Sequence, residues 1–318
     1  MRRVKKFAEK IFTHIGETKA EDGLFASLED LISERKNARY INSINNKKAH
    51  SQMSGDVRSV FKGRGIEFEE IRAYEYGDEV RDIDWRVTAR KSAPYTRIYT
   101  EERNREIYAF LDLSSSMVFG TQKEFKSVLA SKIAALLAWV CLENKDKFGC
   151  FVYDGANTYL YKPRNYRENV LAILKKISEV GKEILSEKAI QREEIPFEKA
   201  LQLFQTSIKV RSTVFVISDF SDFGDVVKKN LAILANKNDV YLVDIFDRLE
   251  EFSPKEGEYM IGQEGENLVF DTRKESFKDE YNKIFVHKRE EIRNFCLKFL
   301  CGYTQAITGV SAYGQIKL

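Results

Sequence analysis

The sequence predicts an α/β fold, a mostly parallel central sheet flanked by helices, preceded by a small β-rich subdomain and a helical N-terminal arm. Three observations carry this expectation. Short runs at Ile107–Asp112, Thr213–Asp219 and Val240–Phe246 are apolar on both faces and rich in β-branched and aromatic residues, as strands buried between two helical layers are. Longer stretches with apolar residues at helical spacing separate them. Strand and helix therefore alternate, which favours parallel crossovers within one sheet.

The first hundred residues differ in kind. Residues 1–59 form a charged arm with helix-like apolar positions at Leu24, Leu28, Leu31 and Ile32. Residues 60–103 are dense in charge and aromatics, with strand-like segments at Ile66–Ile71 and Tyr95–Thr100. The α/β domain is expected over 104–318. Its first strand, Ile107–Asp112, precedes a helix over 123–142, where Phe125, Val128, Leu129, Ile133, Leu136, Leu137 and Val140 repeat at helical spacing. Phe148–Tyr153 then leads through Asp154-Gly-Ala-Asn, a turn sequence, into Thr158–Tyr161, which reads as a hairpin. Helices follow over 166–180, 196–206 and 225–236, and Pro196 suits a first helical turn. All four prolines (Pro94, Pro163, Pro196, Pro254) fall at these boundaries. A polar hairpin over Tyr259–Arg273 precedes a long helix that sets Phe277, Tyr281, Ile284, Phe285, Ile292, Phe295 and Phe299 near one face.

Composition excludes several classes. With 52 Lys and Arg against 49 Asp and Glu, the chain is too evenly charged for nucleic acid to be expected as its partner. The basic stretch Arg35–Lys48 reads as a solvated helix and loop before it reads as a nucleic-acid surface. Cys141, Cys150, Cys296 and Cys301 have no CxxC spacing, and His14, His50 and His287 are scattered, so no zinc set is expected. The N-terminus MRRVKKFAEK lacks an apolar signal region, and the longest apolar run, Val128–Leu142, is too short to span a bilayer and contains Lys132. A cytoplasmic protein without a membrane span is expected, with peripheral membrane association only through a partner.

Two constellations carry chemistry. Asp112-Leu-Ser114-Ser-Ser116 sits where a buried strand ends and a helix approaches, and ligands of open α/β sheets gather at such carboxyl ends. Its hard oxygens, joined by Asp219 after a second strand, suit magnesium. Alternatively, the serines cap the helix and Asp112 accepts backbone bonds. The second constellation runs from Tyr74 to Arg90 and includes Gly77-Asp78, Arg81, Asp82, Asp84, Trp85 and Arg86. If Asp82 to Trp85 is extended, Asp82 and Asp84 share one face, as a cation site or, the favoured reading, as part of an ion network knitting a subdomain whose apolar side carries Trp85.

Together, in this order, the two patterns resemble the family called domain of unknown function 58. Its segment GxxFxExRxYxxGDxxRxIDWxxxAR, ahead of a von Willebrand factor A-like domain of Rossmann type, is matched at Gly65, Phe68, Arg72, Tyr74, Gly77, Asp78, Arg81, Ile83, Asp84, Trp85, Ala89 and Arg90, and the match continues through Glu101–Arg103 and Asp112–Met117. The resemblance covers about residues 60 to 310. It implies a non-enzymatic protein-interaction module, an adaptor or partner of a MoxR-type AAA+ ATPase, or a binder of that ATPase's client, in protein assembly, maturation or stress response. It also implies a metal-ion-dependent adhesion site with Mg2+ held by Asp112, Ser114, Ser116 and Asp219. That site is degenerate: the second-loop Thr is replaced by Ile195, whose side chain cannot ligate magnesium, so the ion is bound weakly or not at all. The alternative function is a metal-dependent hydrolase or phosphatase using Asp112, although Ser114 stands where such dehalogenase-type enzymes need a second Asp.

Overall fold

The structure is a computed structural model that describes residues 23–39, 67–75, 78, 80–91, 93–100, 106–186, 192–251, 257–263, 266–271 and 275–315. These divide into two compact units, one of residues 67–100 and one of residues 23–39 with 106–315.

In the smaller unit, strand β1 (Glu67–Ala73) pairs antiparallel with β2 (Tyr95–Thr100), and a short helix, α2 (Trp85–Lys91), lies between them in sequence. Asp82–Trp85 is not extended, so the condition for a shared face of Asp82 and Asp84 is not met. A 3₁₀ turn occupies Val80–Asp82, and the helix begins at Trp85 because Asp84 caps it, its Oδ1 accepting from the amides of Arg86 (3.0 Å) and Val87 (3.1 Å). Trp85 is 67% exposed and does not form the subdomain's apolar side. The ion pairs seen here come from Arg72, ahead of that segment, which reaches Asp78 at 2.7 Å and Glu75 at 3.4 Å, and Asp78 also accepts the Glu75 amide.

The larger unit is built on a six-stranded sheet. Its strands are β3 (Glu106–Asp112), β4 (Lys147–Tyr153), β5 (Thr158–Arg164), β6 (Thr213–Ser218), β7 (Asp239–Phe246) and β10 (Gly302–Ile307), in the order β10-β7-β6-β3-β4-β5. Every pairing is parallel except the β4–β5 hairpin. The chain leaves β3 for β4 on one side and later returns as β6 on the other, so the switch point lies between β3 and β6. The hairpin of β8 (Glu258–Gln263) and β9 (Glu266–Asp271) forms where expected.

Alternation along β3 divides the core between two faces. Tyr108 and Phe110 point into one aromatic cluster, where Phe110 stacks on Phe151 (5.4 Å between centroids) and meets Phe204 edge-on at 5.4 Å. That face is covered by α5 (Phe197–Ser207), α6 (Asp225–Ala235) and the C-terminal part of α8 (Glu275–Phe299). In α8 the inward face includes Arg289, Ile292, Phe295 and Cys296, whereas Ile284 is 67% exposed, one residue (about 100°) away from Phe285, which packs on Phe246. The opposite face is covered by α3 (Lys126–Glu143) and α4 (Arg167–Glu183).

Helix α3 is buried on nearly every side, which a single amphipathic stripe would not produce. Its outer side is covered by the N-terminal segment. There helix α1 (Leu28–Ser33), opened by a Ser27–Asp30 capping box, buries Leu31 against α3 and α4, and the Leu31 carbonyl accepts the Trp139 indole N–H at 3.0 Å. Arg35 pairs with Glu143 at 3.2 Å and lies over the Trp139 ring. The rest of the basic stretch, 40–48, lies outside the described residues.

Candidate functional site

The site forms at the carboxyl ends of β3 and β6. The β3 strand delivers Asp112 with 2% exposure, and the Ser114 amide turns back to its Oδ1 at 2.9 Å. This closes the first loop, setting the Ser114 and Ser116 hydroxyls 3.4 Å apart. On the neighbouring strand, Ser218 donates to Asp112 Oδ2 at 2.6 Å and accepts the Phe220 amide at 3.1 Å. The second bond helps hold Phe220 at φ 48°, a left-handed conformation uncommon for a bulky residue. The resulting turn aims Asp219 at the first loop, where its Oδ1 accepts from the Ser116 hydroxyl at 3.2 Å and from the Ser221 amide at 2.9 Å. The four residues expected to meet, Asp112, Ser114, Ser116 and Asp219, thus lie in one hydrogen-bonded cluster.

Ile195 flanks this cluster. Its amide donates to the Gly155 carbonyl (2.7 Å), and its carbonyl accepts the Tyr153 hydroxyl (2.5 Å). Gly155, at φ 91°, lies against Ser114: a β-carbon added to it would come 3.7 Å from the Ser114 α-carbon. The hairpin tip therefore lies between the first loop and Ile195, whose side chain packs on the aromatic core.

Several members of the site escaped the sequence reading. Lys126, the first residue of α3, is buried, and its ammonium reaches Asp219 Oδ2 at 2.7 Å and Glu250 Oε1 at 2.9 Å. Glu250 is positioned by a capping box at the short helix α7 (Arg248–Glu251). The Asp247 amide donates to Glu250 Oε2 (2.8 Å), and Asp247 Oδ1 accepts the Leu249 amide (2.9 Å). The fully buried Asp247 carboxylate also binds the Thr121 amide (2.9 Å) and the hydroxyls of Thr121 and Thr308, tying the stretch before α3 to the segment after β10. From α8, Lys288 donates to the Asp219 carbonyl at 2.8 Å. The motif Asp247-Arg-Leu-Glu250 and a lysine opening a mostly apolar helix were the available signals.

The two aspartates differ in protonation. Burial, then the charge of Asp219, pushes Asp112 from 3.8 up to about 6, against the hydrogen bonds from Ser218 and Ser114. Burial also acts to raise Asp219, but the Lys126 charge and hydrogen bond outweigh it and hold that carboxyl below its ordinary value. For Lys126, burial favours the neutral amine, yet Asp219 and Glu250 prevail and keep it charged. Lys288 is lowered, chiefly by burial.

As a magnesium ligand set, these residues offer two carboxylates and two hydroxyls. Against them stand an isoleucine in the second loop and an ammonium already on Asp219 Oδ2. Magnesium would need waters to complete its six oxygens here, and it would have to compete with the Lys126 ammonium for Asp219.

The profile of the family described as "Protein of unknown function DUF58" matches residues 70–291. Uncharacterized proteins of Mycobacterium tuberculosis and Mycobacterium bovis are each 26% identical over 226 residues, 70% of this chain and 68% of theirs. Among solved structures, the conserved hypothetical protein BatB from Bacteroides thetaiotaomicron aligns with a TM-score of 0.42 at 17% identity, covering 66% of this chain and 94% of that one. An aerotolerance-related membrane protein from Bacteroides fragilis gives 0.40 at 15% identity over the same shares. The SpRpn10 VWA domain gives 0.29 at 16% identity, covering 44% of this chain and 75% of that one. Among the described residues, no helix is long and apolar enough to cross a membrane. With more than half of its length under this one family profile, the chain belongs to the DUF58 family of proteins of unknown function.

Proposed function

We propose that the carboxyl end of the sheet, from Asp112–Ser116 to Asp219–Asp222, is a docking surface for another protein, and that the chain acts as a non-catalytic adaptor. The observation that carries this is the meeting of two loops 103 residues apart in sequence, joined by the bond from Ser116 to Asp219. The junction has a buried, charged floor and an open rim: Ser115, Ser221 and Asp222 are exposed, and Ser114 and Ser116 are half-buried. Such a floor fixes the rim loops and leaves Ser115, Ser221 and Asp222 at the surface, where a partner can reach them. The partner suggested by the family resemblance is a MoxR-type AAA+ ATPase or its client.

The competing hydrolase reading would need Asp112 to attack a substrate. With 2% exposure, and with one oxygen accepting from the Ser218 hydroxyl and the other from the Ser114 amide, its carboxylate is placed to brace the loops. This supports the adaptor reading over catalysis.

A photo-crosslinking residue at Ser115, compared with one at exposed Lys209 beside the amino end of β3, tests the reading in the native host. A MoxR-type ATPase or its client should be trapped from Ser115 and not from Lys209, and the adduct should disappear when Asp112→Ala is added to a chain that remains folded. Equal trapping from both positions would refute the assignment, as would turnover in a phosphatase screen that is lost in Asp112→Asn.

A further inference from the structure

The physical chemistry of helices argues against a lysine at the position of Lys126. The amino end of a helix carries the positive pole of the macrodipole, so acidic residues are favoured in its first turn. Helix α3 has no acidic residue there and opens on a lysine whose side chain is 3% exposed. A buried ammonium persists only where opposite charge surrounds it. Here it lies 2.7 Å from Asp219 Oδ2 and 2.9 Å from Glu250 Oε1, with the Phe119 ring face 5.6 Å away.

These contacts join three separate parts of the site. Asp219 carries the bond to Ser116 of the first loop, and Glu250 belongs to the capping box after β7. Lys126 begins the helix that follows the first loop. One cation thus holds the loops after β6 and β7 against the start of α3, a clamping task that a divalent ion could otherwise perform. The second loop supplies no side-chain oxygen at Ile195, and the Asp219 oxygen closest to Lys126 is already engaged.

We infer that the Lys126 ammonium is the resident cation of this site, and that the site holds its shape without a divalent ion. Docking at the tip, which rests on the function proposed above, is then independent of magnesium. The ammonium supplies one charge and three hydrogen-bond donors and needs no coordination sphere.

The test reads ion binding and folding, not partner capture, so its failure is distinguishable from failure of the docking reading. Melting temperatures of the full chain are measured in EDTA and in millimolar magnesium for the wild type, Lys126→Met and Lys126→Arg. Binding of manganese to the wild type, with and without Asp112→Ala, is followed by the paramagnetic resonance of the free ion. The inference expects a wild-type melting temperature unmoved by magnesium, no Asp112-dependent manganese binding, and a lower melting temperature for Lys126→Met in EDTA that Lys126→Arg largely recovers. A magnesium-induced rise that disappears in Asp112→Ala would overturn it, because binding restricted to the folded state must raise the melting temperature. So would a Lys126→Met chain that melts with the wild type. If Lys126→Met does not accumulate as folded protein, manganese binding decides: an Asp112-dependent stoichiometric site overturns the inference, and its absence supports it.

Discussion

Replacing Asp219 by Asn keeps the shape of the side chain and removes the charge that faces Lys126. Both side chains are 3% exposed, so solvent cannot replace the lost partner. Removing one member of a buried ion pair typically costs about 3–5 kcal/mol. Two features reduce that cost here. Glu250, with 31% of its side chain exposed, remains 2.9 Å from the ammonium. The charge that pushes Asp112 upward is also removed. A net loss of about 2–3 kcal/mol is expected, which for a domain of this size lowers the melting temperature by about 5–10 °C. The assay is a double-mutant cycle in urea with Asp219→Asn, Lys126→Met and the pair. Because replacing both charges at once leaves only the part-exposed Glu250 without its ammonium, the double variant should be more stable than the sum of the single losses by about 2 kcal/mol. Additive losses, or an Asp219→Asn variant within about 0.5 kcal/mol of wild type, would refute the buried pair.

Other consequences can be checked in the same preparations. Asp112 is raised in the folded state, so the folded chain binds more protons than the unfolded one between 3.8 and about 6; its stabilising contribution is present at low pH and is lost as pH rises through that window. Asp219 is lowered and acts in the opposite sense, its contribution being present above 3.8 and lost as pH falls through its depressed folded value. Melting curves against pH for wild type, Asp112→Asn and Asp219→Asn should separate the two, and a wild-type curve parallel to Asp112→Asn between pH 4 and 6 would remove the first. Ile195→Thr restores the missing hydroxyl but leaves Lys126 in place, so alone it should confer no magnesium-dependent rise in melting temperature, whereas together with Lys126→Met it should. Trp139→Phe removes the donor to the Leu31 carbonyl and should cost about 1–2 kcal/mol in urea denaturation; a cost near zero would mean that α1 is not held there.

The sheet was legible because strands buried on both faces leave near-continuous apolar runs, as at Thr213–Ser218, every residue of which is buried. The edge strand β10 escaped notice because Gly302-Tyr-Thr-Gln is half-exposed and polar, and only Ala306 within it is buried. Asp112, Ser114, Ser116 and Asp219 were legible because the ends of neighbouring parallel strands must lie side by side. Lys126, Glu250 and Lys288 were not, since pairing across 69 to 124 positions of sequence depends on tertiary packing, which no local pattern encodes. Trp85 misled for a related reason. An aromatic in a charged segment suggests a small core, but the cap supplied by Asp84 starts a helix there and turns the ring outward.

The most direct measurement is the affinity of the purified chain for the protein trapped at Ser115, by calorimetry in EDTA and again in magnesium, for wild type and Asp112→Ala. A docking tip clamped by an ammonium should give the same affinity in both buffers and lose it in the variant. Binding that needs magnesium, or that survives Asp112→Ala unchanged, would contradict the account.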